Sequence, residues 1–150
     1  MRKTYFLGVG IAFLALLCKA ASVEAGDEVR TKVTIITASN QGTDFNLVND
    51  DYRDQLLNLF SYSHYEEINT ELVLLSRSER SKIELLNGYE LILTLQGEEK
   101  GRVLIQAVIR KDQKQYLDTV VSILKPGVVF VGGPPVENGK VLIIVLETGF

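Results

Sequence analysis

The chain of 150 residues has no Trp, 1 His, 1 Cys and 3 Pro. A single cysteine excludes a disulfide framework, and one cysteine with one histidine cannot supply the several Cys and His ligands of a zinc finger. The 12 Gly follow no strict period, which excludes collagen-like repeats. An excess of positive charge is also missing: 16 Lys and Arg stand against 19 Asp and Glu, for a net charge of −3. The charges are scattered, so the chain has no basic patch for nucleic acid or anionic lipid. What it does have is apolar residues, 46% of the total, enough for a core and too many for disorder. At this length they imply one domain.

The first 25 residues have the layout of a secretory signal peptide. Arg2 and Lys3 form a short positive lead, and Tyr5 to Leu17 is an apolar run of 13 residues. Val23-Glu24-Ala25 then places modest side chains before a cleavage point between Ala25 and Gly26, with Ser22 as an alternative. The run falls short of the roughly 18 residues that span a bilayer, so the segment is expected to be removed and to leave no membrane span. Cys18 follows Leu17, a bulky residue where lipoprotein processing takes a small one, which argues against lipidation. Removing residues 1–25 takes away Arg2, Lys3, Lys19 and Glu24 and leaves 125 residues with 13 basic and 18 acidic groups, a net charge of −5. The product is an exported, cysteine-free domain, periplasmic or extracellular.

Its element pattern is mainly β. Residues 26–32 read as a flexible lead-in, and Val33 to Ala38 is a β-branched strand. Ser39 to Asn46 is a turn cluster. Asn49, Asp50 and Asp51 offer cap oxygens to a helix over about 50–61, with Tyr52, Leu56, Leu59 and Phe60 at helical spacing. Strands follow at 68–76, 82–86, 89–96, 102–110, 115–124, 128–131 and 141–146. Asn87-Gly88 signals a type I′ hairpin, and Gly132 to Gly139 reads as a long loop. On residues 89–96, Tyr89, Leu91, Leu93 and Leu95 share a face; on 115–124, Leu117, Thr119, Val121 and Ile123 oppose Tyr116, Asp118, Val120 and Ser122. Val141 to Leu146 is apolar on both faces, as a covered central strand would be. The expectation for 33–150 is therefore one antiparallel β-sandwich of about seven to eight short strands with one helix.

Reactive groupings are sparse. His64 is the only imidazole, and a nucleophile–base pair with Ser61 or Ser63 lacks the glycine-flanked elbow that would present the serine. A plain helix-to-strand connection explains the segment instead, with Tyr62 and Tyr65 packing and His64 hydrogen-bonded. Asp44, Asn46, Asn49, Asp50 and Asp51 are rich in oxygen but lack EF-hand spacing, and a helix cap accounts for Asp50 and Asp51. Glu66-Glu67 and Glu98-Glu99 are adjacent pairs; neighbours on a strand face opposite ways, and both read as solvated charge. Gly132-Gly133 is followed by prolines, which supply no N–H groups for a phosphate. No catalytic, cofactor or metal site is expected.

Two further patterns bear on function. Leu124-Lys125-Pro126-Gly127-Val128-Val129-Phe130-Val131-Gly132-Gly133 resembles, over ten residues, the Gly-x-x-x-x-x-Gly-Gly hairpin of bacterial secretins, which implies a place in an envelope complex. The terminal Phe150 resembles the closing residue of outer-membrane barrels, yet Ile143 and Val145 make the other face of that strand apolar, against barrel alternation. The function expected is a non-catalytic binding or structural module, an accessory part of a bacterial envelope assembly with a protein partner. Asn40 and Asp44 in the first loop, and Gly132, Gly133 and Pro134 in the second, are the candidate contact residues. The alternatives are a small secreted hydrolase using His64 and a small outer-membrane barrel.

Overall fold

A computed structural model of the chain describes residues 28–150, so the signal-like segment with Cys18, Ala25 and Gly26 lies outside the described residues. Alternating apolar residues build two sheets. The larger has the order β2 (Phe45–Asn46), β3 (His64–Leu75), β1 (Val29–Ser39), β9 (Val141–Thr148) and β8 (Gly127–Pro135). The smaller is a meander of β4 (Ser81–Glu84), β5 (Glu90–Glu99), β6 (Arg102–Lys111) and β7 (Lys114–Leu124). All pairings are antiparallel except that of β2 with β3. Among the described residues the sheets stay separate, with no barrel closure, so these strands do not form the outer-membrane barrel.

The main core lies between the sheets. Val33 and Ile35 of β1 and Leu142, Ile144 and Leu146 of β9 meet Leu91, Leu93 and Leu95 of β5 and Val103, Ile105 and Ile109 of β6. The opposite faces of β1 and β9 carry Ile36, Ala38, Ile143 and Val145, and these pack under Tyr52 and Leu56. Tyr52 ends a 3-10 turn (Asp50–Tyr52) that leads into α1 (Arg53–Leu59). The order is thus helix, larger sheet, smaller sheet. It explains why residues 141–146 are apolar on both faces: one face meets the other sheet and the next meets the helix.

Capping and turn chemistry hold the connections. Of the three expected cap residues Asn49 does the capping: its Oδ1 accepts from the Asp51 backbone N–H at 3.0 Å at the start of the 3-10 turn. α1 follows from Tyr52 with no side-chain cap of its own. Four turns put positive φ on both central residues: Asn87-Gly88, Lys100-Gly101, Asp112-Gln113 and Asn138-Gly139. That pairing is the type I′ signature, whose twist matches antiparallel strands. Asn138-Gly139 therefore does the work assigned to a long loop. Strand β8 runs on through Gly132, Gly133 and Pro134 to Pro135, and only then does the chain turn. Two prolines are compatible with this because β8 is a sheet edge.

Other boundaries shift for local reasons. β1 begins at Val29 and takes in Arg30 to Lys32, whose alternation places Val29 and Thr31 inward. Tyr116 falls where the pairing of β6 with β7 changes register, between Ile109 and Arg110. It lies against Tyr89, edge to face with centroids 5.0 Å apart, rather than on the outer face with Asp118. The stretch resembling a secretin hairpin is no hairpin here: it leaves β7 in one sheet and enters β8 in the other, through a cis Lys125-Pro126 bond.

Candidate functional site

The expected contact residues separate. Asn40 and Asp44 do lie in an exposed loop, but both brace it: Asn40 Oδ1 accepts from the Ser63 N–H at 3.2 Å, and the Asp44 carbonyl accepts from the Tyr65 N–H at 3.0 Å. Gly132 lies against the Phe60 ring, Gly133 against Leu142 and Ile109, and Pro134 is buried. These residues belong to strand β8 rather than to a loop, with Gly132 exposed, Gly133 half-buried and Pro134 buried.

His64 is the first residue of β3, opposite Ser39. The Ser63 hydroxyl donates to the Gly42 carbonyl at 2.6 Å rather than to the imidazole. Nδ1 of His64 is buried with no hydrogen-bond partner among the described residues, which differs from the bonded histidine expected. Tyr62 and Tyr65 do pack, edge to face at 6.5 Å. Among the described residues no group of three or more His, Cys, Asp or Glu is placed to hold a metal ion. Glu66 is drawn to Lys140 (3.3 Å) and Glu98 to Lys125 (3.0 Å). Glu67 accepts from the Val48 N–H (3.0 Å) and the Thr70 hydroxyl (2.8 Å).

A polar cluster missed in the sequence sits where α1 meets the larger sheet. Glu147 of β9 accepts from the Tyr52 hydroxyl at 2.6 Å and pairs with Lys32 of β1 at 2.6 Å. Burial opposes ionisation of Glu147, but the Lys32 and Tyr52 hydrogen bonds outweigh it and hold the carboxyl below its ordinary 4.5. Burial, reinforced by the Glu147 carboxylate, pushes the Tyr52 phenol well above its ordinary range. Lys32 and Tyr52 also line a shallow hollow of about 180 Å³, closed on its far side by Glu67 and Thr70 of β3.

Beyond that hollow β3 is open. Strand β2 pairs only with Tyr65 and Glu66, so from Glu67 onward β3 has β1 on one side and, among the described residues, no strand on the other. Every residue from Ile68 to Leu72 is exposed. Leu72 (62% exposed) and Leu74 (54%) stand on the outer face, across from Lys32 and Arg30 of β1. Sheet edges are commonly blunted by shortness, charge, proline or a bulge. β4 is only four residues long, β8 holds Pro134 and Pro135, and β7 bears Lys114 and Asp118. β3 has its irregularity at Ile68, unpaired where Ile35 faces Asn69 and Ile36 faces Glu67. Past that point, Asn69 to Leu75 contains one charge, Glu71.

No protein family, curated protein or solved structure matches the chain.

Proposed function

We propose that the chain is an exported, non-catalytic binding or structural module, an accessory component of a bacterial cell-envelope assembly, and that it engages its partner by strand addition at β3. The observation that carries this reading is the edge of β3 from Ile68 to Leu75, which no strand covers among the described residues, with Leu72 and Leu74 exposed beside it. Unpaired backbone groups on such an edge bond an incoming strand, and its flanking side chains select it. Export is supported by the layout of residues 1–25, and a non-catalytic role by the commitment of the Ser63 hydroxyl to Gly42.

The test places a photo-cross-linking residue at Leu74 and recovers covalent adducts from native envelopes. A stoichiometric adduct at Leu74 with a protein other than this chain, absent when the cross-linker sits at Val120 on the outer face of β7, is expected. Adducts equal at both positions would overturn the edge reading. A hydrolytic activity lost in His64→Ala would overturn the non-catalytic one.

A further inference from the structure

Resting on the reading of β3 as a binding edge, we propose that one occupant of that edge is a second copy of this chain, paired β3 to β3 in antiparallel register about a two-fold axis at Val73. The strand is complementary to itself in this register. Leu72 of each copy faces Leu74 of the other, and the reverse, so the four exposed leucines cover one another on the outer face. Glu71 faces Leu75, and the two Glu71 residues lie four positions apart, about 13 Å along the strand. No like charges meet within the paired stretch. Arg30 and Lys32 sit on β1, one strand back from the seam on each copy, and the two β1 strands are separated by three strand spacings, about 14 Å.

Closure favours a copy's β3 over another of its edges. Joining β3 to β7 or β8 of the next molecule would be head-to-tail and, unless the rotation closed a ring, would leave a β3 edge open at the end of every filament. The β3 to β3 contact uses the same residues on both sides and ends with the pair, joining two five-stranded sheets into one. The seam is short, at the small end of specific interfaces, so the dissociation constant should be on the order of micromolar.

Sedimentation of the purified protein across a concentration series tests this. The wild type is expected to pass from monomer to dimer, and Leu72→Lys/Leu74→Lys to raise the dissociation constant by at least about 100-fold, two buried apolar contacts being replaced by four opposed charges. Both leucines are exposed, so at concentrations where the wild type is monomeric the variant should keep the wild-type urea midpoint. A second measurement is independent of that variant: in a Cys18→Ser background, Val73→Cys should cross-link to itself on oxidation and Asn69→Cys should not. A dimer indifferent to the double-lysine change, or equal cross-linking at both cysteines, would overturn the register. A wild type that stays monomeric at every concentration overturns the dimer; if its Leu74 adduct with an envelope protein persists, the binding edge itself stands.

Discussion

The Tyr52 hydroxyl donates to the Glu147 carboxylate at 2.6 Å, across 95 residues of sequence. This bond ties the helical segment to β9, with Lys32 as the counter-ion on the neighbouring strand β1. Tyr52→Phe keeps the ring against Phe130, edge to face at 5.6 Å, and removes only the donor. A hydrogen bond to a charged acceptor contributes about 1.5–3 kcal/mol, and partial exposure of Glu147 places the expected loss near the lower figure. Urea unfolding of the two proteins, with unchanged slope, checks it.

The same pair fixes how stability responds to pH. Glu147 titrates below 4.5 in the fold, so the unfolded chain takes up its proton first. Its contribution is complete above 4.5 and is lost as pH falls through the lower folded value. Glu90, lowered by hydrogen bonds from Lys82 and Arg110, acts in the same direction. The urea midpoint should therefore fall on acidification from about pH 6 to pH 3, and Glu147→Gln should shrink that fall without removing it. Tyr52 acts at the other end. Its raised phenol supports the fold below the ordinary 10.0, and that support is lost as pH climbs through the folded value. An alkaline slope that is the same in Tyr52→Phe as in the wild type would contradict the assignment.

Gly132 and Gly133 offer a sharp contrast. A Cβ on Gly133 would lie 3.1 Å from both the Cβ and the carbonyl oxygen of Leu142, and 3.4 Å from Ile109 Cδ1. One on Gly132 would meet only Phe60 Cε1, at 3.4 Å. Gly133→Ala should cost about 1–3 kcal/mol, the usual penalty for overpacking, and Gly132→Ala less than about 1 kcal/mol. Equal effects would mean that the β8 to β9 packing is looser than described. The comparison is read from thermal or urea unfolding.

The alternation of Tyr89, Leu91, Leu93 and Leu95 was legible because one face of β5 meets the core, and all four are buried there. The helix cap was legible because Asn49 acts within its own turn. The Asn138-Gly139 turn carries the same dipeptide as Asn87-Gly88, but Gly132-Gly133-Pro134-Pro135 before it has the composition of a loop. Glycine and proline are tolerated there because β8 is an edge, which is a fact of topology. The Tyr52, Lys32 and Glu147 cluster joins three distant segments, and no local spacing announces it. The open edge of β3 escapes for a related reason. Residues 68–76 read as a strand, but their neighbour is decided by how short β2 is.

Leu72 and Leu75 belong to one strand and should respond in opposite ways. Leu75 is fully buried in the core between the sheets, whereas Leu72 points outward from the free edge. Leu75→Ala removes methyl groups from a packed site and leaves a cavity, so about 2–5 kcal/mol should be lost. Leu72→Ala exposes no cavity, and its effect on the isolated protein should stay within about 0.5 kcal/mol. Measured at a concentration where the wild type is dimeric, the order of phenotypes reverses: Leu72→Ala weakens association, while Leu75→Ala, once folded, keeps the exposed leucines in place. Unfolding and sedimentation on the same two variants therefore separate the strand's inner role from its outer one. A Leu72→Ala protein as destabilised as Leu75→Ala would show that this edge is part of the core.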